Sequence, residues 1–122
     1  MAEAGVWVVW GIPTRGRETQ ALEFLKDKLT GYLQDLVREG RIERFDAAVL
    51  KPQSNELGGF VLIQGTRQQI ESLHQDKQFE SYAFQVQAIA DNVGIVEAWV
   101  GDGLQYAFGL YEDALRDAGL MP

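Results

Sequence analysis

Between Leu57 and Gly103 the chain reads Leu-Gly-Gly-Phe-Val-Leu-Ile-Gln-Gly, then a long helical pattern from Thr66, then Val-Gly-Ile-Val-Glu-Ala-Trp-Val-Gly-Asp-Gly. Phe60 to Gln64 is a short run of aromatic, β-branched and aliphatic residues bounded by glycines, the pattern of a buried strand. Gly58 and Gly59 suit the end of a hairpin connection, because glycine adopts backbone angles that other residues resist. Thr66 is a good N-cap for the helical stretch that follows. A second strand, Val93 to Val100, is announced by Asp91-Asn92 and closed by Gly101-Asp102-Gly103. The stretch is a strand, a helical crossover and another strand.

The flanking segments complete the order. Val6 to Trp10 is a first strand, ended by Gly11-Ile12-Pro13. A helix is expected from about Glu18 to Glu39, with Leu22, Leu25, Leu29, Tyr32, Leu33 and Leu36 forming one apolar stripe. Gly40 suits its C-cap, and Gly31 in its middle lowers helix propensity where a close approach would use a glycine. A strand from about Ile42 to Lys51 forms a hairpin with Phe60–Gln64 across a polar loop. The crossover from Thr66 to Ala90 divides into two helical pieces, with Asp76 able to cap the second. Leu104 to Leu120 reads as a terminal helix with Leu104, Phe108, Tyr111 and Leu115 on one stripe. The order β-α-β-β-α-β plus a C-terminal helix predicts a ferredoxin-like α+β fold, in which two helices cover one face of an antiparallel sheet.

Alternation along each strand carries the next expectation. Val61 and Ile63 oppose Phe60, Leu62 and Gln64; Val96, Ala98 and Val100 oppose Ile95, Glu97 and Trp99; Phe45, Ala47 and Val49 oppose Asp46, Ala48 and Leu50. Both faces are largely apolar, whereas a two-layer antiparallel sheet normally alternates apolar with polar. The second face needs a cover, and a second copy of the chain packed sheet to sheet supplies one; the terminal helix is the alternative.

Composition removes several function classes. The chain has 122 residues, which predicts one domain, and it has no cysteine and a single histidine. Disulfides, thiolate catalysis and multi-histidine metal sites are therefore excluded within one chain. A net charge of −7 opposes a phosphate backbone, so no nucleic-acid partner is expected. No apolar run approaches the roughly 18 residues of a membrane helix. Met1-Ala2-Glu3-Ala4 lacks the basic and apolar regions of a secretory signal, which makes a cytoplasmic location the expectation.

The pattern resembles the dimeric α+β barrel superfamily, in which two ferredoxin-like protomers pack sheet to sheet. Leu57-Gly58-Gly59-Phe60-Val61-Leu62-Ile63 is similar to the strand preceding the second helix in its YCII-like group, and Asp76-Lys77-Gln78-Phe79 is similar to segments in several members. The superfamily includes cofactor-independent monooxygenases, small isomerases and lyases, haem-handling enzymes and ligand-sensing domains. YCII-like proteins are associated with a histidine–aspartate pair; here the one histidine, His74, has no partner assignable from the sequence.

The candidate site residues lie on the expected cavity face. Glu97 sits mid-strand between Ile95 and Trp99, where burial would raise a carboxyl's pKa and suit it to act as a general base; pairing with an arginine, or a wet position at a strand edge, is the alternative. Trp99, with Trp7 or Trp10, would line a flat apolar pocket and stack on an aromatic ligand, against ordinary core packing. Asp46 and Gln64 would orient that ligand's polar end. Gly11 to Glu18 has the glycine spacing of a phosphate-binding loop, but Arg17 replaces its lysine and Glu18 its magnesium-binding hydroxyl. Arg15 and Arg17 remain candidates for holding a carboxylate. One histidine per protomer is enough for axial haem ligation, though no second feature supports that role for His74. The expected function is a homodimer binding a partly apolar or aromatic small molecule, with any chemistry being cofactor-free proton transfer or oxygenation. The alternative is a non-catalytic interaction or ligand-sensing domain whose sheet face is only an interface.

Overall fold

The computed structural model describes residues 2–122, so the N-terminal reading that starts at Met1 begins just outside the described residues. Four strands, β1 (Ala4–Trp10), β2 (Arg44–Val49), β3 (Gly59–Gly65) and β4 (Gly94–Trp99), form one antiparallel sheet in the order β2-β3-β1-β4. The first crossover contains α1 (Glu18–Glu23), a π-helical turn (Phe24–Leu29) and α2 (Thr30–Arg38). The second contains α3 (Arg67–His74) and α4 (Lys77–Ile89), and α5 (Gly103–Asp117) follows β4. This is the ferredoxin-like α+β arrangement expected from the element order.

Local chemistry explains the helix starts. Thr66 accepts the Gln69 amide at 3.1 Å while Gln69 Oε1 accepts the Thr66 amide at 2.8 Å, a capping box that satisfies two amides at the start of α3. Asp76 caps α4 by accepting the amides of Gln78 at 2.7 Å and Phe79 at 3.2 Å. Its other oxygen pairs with Arg41, in the turn that leaves α2, so one carboxylate ties the two crossovers together. That hydrogen bond from Arg41, aided by the two amides, holds the Asp76 carboxyl below the usual carboxylate range.

The first crossover is not the uninterrupted helix that its stripe predicts. Leu22 is exposed, whereas Phe24, absent from the predicted stripe, is buried. A π turn changes the register: Phe24 and Leu29 are five residues apart, the π repeat, and both point into the core. Thr30 Oγ1 donates to the Leu25 carbonyl at 2.7 Å, satisfying an acceptor beside the widened turn. From Leu29 onward, Leu33 and Leu36 resume the α spacing. Gly31 faces open space, so it serves no close approach.

The core lies between the helices and one sheet face. Val6, Val8, Val61 and Ile63 meet Leu29, Leu33, Leu36, Ile70, Leu73 and Val86 there. Aromatic edges close one end of the helix layer: Tyr82 meets Phe24 at 5.4 Å and Tyr32 at 4.9 Å between ring centroids, both edge to face.

Two variants separate the roles of Asp76. Asp76→Ala removes both the cap and the tie to Arg41 and should lower unfolding free energy by about 1–3 kcal/mol in urea titrations. Asp76→Asn keeps an acceptor for the cap and should lose less. The folded-state carboxyl is depressed, so the stability it adds is present above the unfolded value near pH 3.9 and is lost as pH falls through the folded value. Asp76→Asn should accordingly flatten the acid limb of the stability–pH curve.

Candidate functional site

Strand register divides the predicted site residues among three places. Val6 pairs with Ile63 and Glu97, and Ala4 pairs with Trp99, so Glu97 and Trp99 share the helix-covered side with the core valines. This corrects their expected placement on the cavity face. The reason is β4's pairing with β1, which the strand's own alternation does not encode. Trp7 pairs with Leu62 and Val96 on the opposite, helix-free face, where Asp46 and Gln64 also lie. Trp10 falls on the helix side, at the end of β1.

The helix-free face carries Trp7, Val9, Phe60, Leu62, Ala48, Val96 and Ala98, with no helix packed across it. Although β1 is an inner strand, Trp7 is 38% exposed, and Val96 beside it is 54% exposed. Trp7 and Phe60 rings lie 6.0 Å apart. One corner is polar: Asp46 accepts from Arg44 at 2.8 and 2.9 Å and from Gln64 Nε2 at 2.8 Å. The Arg44 guanidinium holds the Asp46 carboxyl below its ordinary range.

The second place is a cavity of about 490 Å³ between α3, β4 and the start of α5, lined by Glu97 and Trp99 together with Glu3, Arg67, Glu71 and Tyr106. The Glu97 side chain is 79% exposed, so it lacks the burial on which a base role was expected to rest. Its Oε1 lies 3.2 Å from His74 Nε2. That nitrogen is sealed from solvent, and the approach to Glu97 is off-line for a hydrogen bond, so the pair is a charge contact when His74 is protonated. The Phe79 ring meets the His74 ring edge to face at 5.8 Å. No partner for His74 was legible in the sequence; the position of β4 beside α3 provides one.

The third place is an apolar cleft. It encloses about 320 Å³ at the end of the sheet, between α1, the π turn, the 50–58 loop and the end of α4. Its walls are Trp10, Ile12, Leu22, Phe24, Leu25, Leu29, Leu50, Leu57 and Ile89, and among the lining residues Glu18 alone is ionisable. Trp10 was expected beside Trp99 in the cavity of the dimer and instead stands in this separate cleft; the aliphatic walls had no place in the expectation, because they come from a π turn and a loop. The five-residue spacing from Phe24 to Leu29 was the available signal.

Two glycines shape this cleft. A Cβ on Gly58 would stand 1.9 Å from the Gly11 carbonyl oxygen, and one on Gly59 would stand 2.6 Å from the Ala48 carbonyl oxygen and 2.8 Å from the Trp10 ring. The indole therefore lies flat over Gly59 and forms a smooth wall. The floor is held by backbone bonds from Gly11 to Asp91 at 2.7 Å, Gly58 to Trp10 at 2.8 Å and Thr14 to Ile89 at 2.9 Å. At the rim, Glu18 Oε1 accepts the Gly16 amide at 2.9 Å, so a carboxylate occupies the turn that a phosphate-binding loop would offer to an anion. Arg17 donates to Gln20 and, like Arg15, is exposed.

No protein-family model and no curated protein matches the chain. Solved structures with a similar fold include the following two. One is a dimeric protein of unknown function and ferredoxin-like fold from Bacteroides fragilis NCTC 9343, with a TM-score of 0.56 and 4% identity, covering 80% of this chain and 96% of that one. The other is a dimeric ferredoxin-like protein of unknown function from Jannaschia sp. CCS1, with a TM-score of 0.53 and 14% identity, covering 80% of this chain and 99% of that one. At these identities the likeness is one of fold. Among the described residues, no helix is long and apolar enough to cross a membrane.

Gly59→Ala should displace both the Trp10 ring and the facing Ala48 backbone of β2. The expected result is a loss of about 1–3 kcal/mol in urea unfolding together with a shifted tryptophan emission maximum. An unchanged spectrum would show that the ring does not rest on this glycine.

Proposed function

We propose that the protein is a homodimer that binds a compact apolar or aromatic small molecule in the cleft walled by Trp10 and the π turn. The observation that carries this reading is the cleft itself. Its volume of about 320 Å³ falls within the range of small-molecule sites, and its lining is apolar except at the rim. A flat indole on one wall suits a planar ring. With Glu18 the lone ionisable lining group, the cleft favours neutral ligands or those with a donor head, and disfavours carboxylates. Any cofactor-free proton transfer inside it would fall to Glu18. The homodimer is supported by the helix-free apolar face and by the dimeric state of both fold neighbours.

A second reading places proton transfer at Glu97. It is favoured by the 3.2 Å approach of Glu97 to His74 and by the lining position of Glu97 in the larger cavity. The YCII-like proteins that the Leu57–Ile63 strand resembles are associated with a histidine–aspartate pair, in which Glu97 would stand in for the aspartate.

Titration with N-phenyl-1-naphthylamine, a neutral aromatic probe, tests the cleft. Saturable binding is expected, abolished by Ala21→Phe, which fills the cleft, and retained in Trp7→Phe and Glu97→Gln. Absence of saturable binding would leave the interface-only reading. Binding that survives Ala21→Phe but fails with Trp7→Phe would move the site to the sheet face.

A further inference from the structure

We propose that α5 is an arm that grips a second copy of this chain, its Leu104, Phe108, Tyr111 and Leu115 stripe extending the sheet-to-sheet interface beyond β4. This inference rests on the homodimer reading above. It starts from the two sides of α5. Tyr106 turns toward the helix layer, where its ring lies 6.4 Å from Trp99 and beneath the Arg67 guanidinium at 5.8 Å. At 100° per residue, Leu104, Phe108, Tyr111 and Leu115 project from the opposite side of the helix, away from the helix layer. Phe108 is 54% and Tyr111 66% exposed, in a helix that packs chiefly along the β4 edge. The apolar surface thus runs from Trp7 through Val96 and on into the stripe.

The root of the helix is fixed against the start of β1. The Val100 and Asp102 amides donate to the Glu3 and Ala2 carbonyls at 3.3 and 3.0 Å. Gly103 is buried against the same segment, where a Cβ would stand 2.0 Å from the Glu3 carbonyl oxygen. With its root clamped against the start of β1, α5 projects along the sheet edge. A bilayer does not suit the stripe either: Glu112, Asp113 and Asp117 outnumber Arg116 on the last turns, the reverse of a membrane-surface helix.

Area points the same way. Four strands about 4.8 Å apart and about 20 Å long offer about 400 Å² in projection, hence about 800 Å² for two copies. Side-chain relief brings this to about the 1,200 Å² at which stable interfaces begin. A helix of 15 residues is about 22 Å long and about 10 Å wide, adding about 400 Å² over two copies. With both arms engaged, the interface moves well inside the stable range.

Sedimentation equilibrium on the full chain tests the arm, using wild type, Phe108→Glu, Phe108→Ala, Tyr111→Glu and, as a control on the other flank, Asp117→Asn. These side chains are exposed, so helix content by circular dichroism should not change. The expected result is a dimeric wild type, a dimer Kd raised at least about 10-fold by each stripe variant, and no shift in the control. A dimeric wild type whose Kd is unmoved by all three stripe variants overturns the arm and spares the sheet-to-sheet dimer. A monomeric wild type overturns both.

Discussion

A strand has two faces, and in β1 both are apolar. Val6 and Val8 point into the helix layer while Trp7 and Val9 point away from it, and the partners in β3 and β4 repeat the division. Two crossover helices on one side satisfy only half of that sheet. Everything else in the molecule follows from this shortage of cover: the bulk of the core sits on the helix side, the other face stays open in the single chain, and the one helix left over, α5, lies along the edge.

The helix layer is not uniform, and its irregularity is where a ligand fits. A regular helix across Phe24–Leu29 would leave either Phe24 or Leu29 out of the core, because α spacing cannot bring residues five apart onto one line. The π turn brings both inward and widens the helix beside the end of the sheet. Gly58 and Gly59 let the facing strand and the Trp10 ring lie close, so the gap becomes a smooth apolar cleft. Sequence, local geometry and cavity are one causal chain here, and changing either the turn or the glycines should alter the cavity's shape.

The sequence made the element order legible because each boundary carries its own chemistry: Thr66 and Asp76 cap helices, Gly40 and Gly119 adopt left-handed angles at helix ends, and Pro52 lies beyond β2. It also exposed the surplus of apolar sheet surface. The candidate site was less legible, for a specific reason. Alternation tells which residues of one strand share a face, but only pairing tells which faces of two strands coincide. Glu97 and Trp99 were grouped with Asp46 and Gln64, and the β1–β4 register separates them. The contact between His74 and Glu97 joins residues far apart in the chain and has no local signature. Phe24 was hidden by a period that is neither that of a helix nor that of a strand.

The central claim is that a second chain covers the face bearing Trp7. Its most direct test is the solvent isotope shift of each 5-fluorotryptophan resonance in ¹⁹F NMR, measured in H₂O and D₂O on the full protein and assigned with Trp→Phe variants. Trp7, 38% exposed in the single chain, should give the small shift of a buried indole, while Trp99 keeps the large shift of an exposed one. A Trp7 shift as large as that of Trp99 would contradict it, because the sheet face would then be open to water.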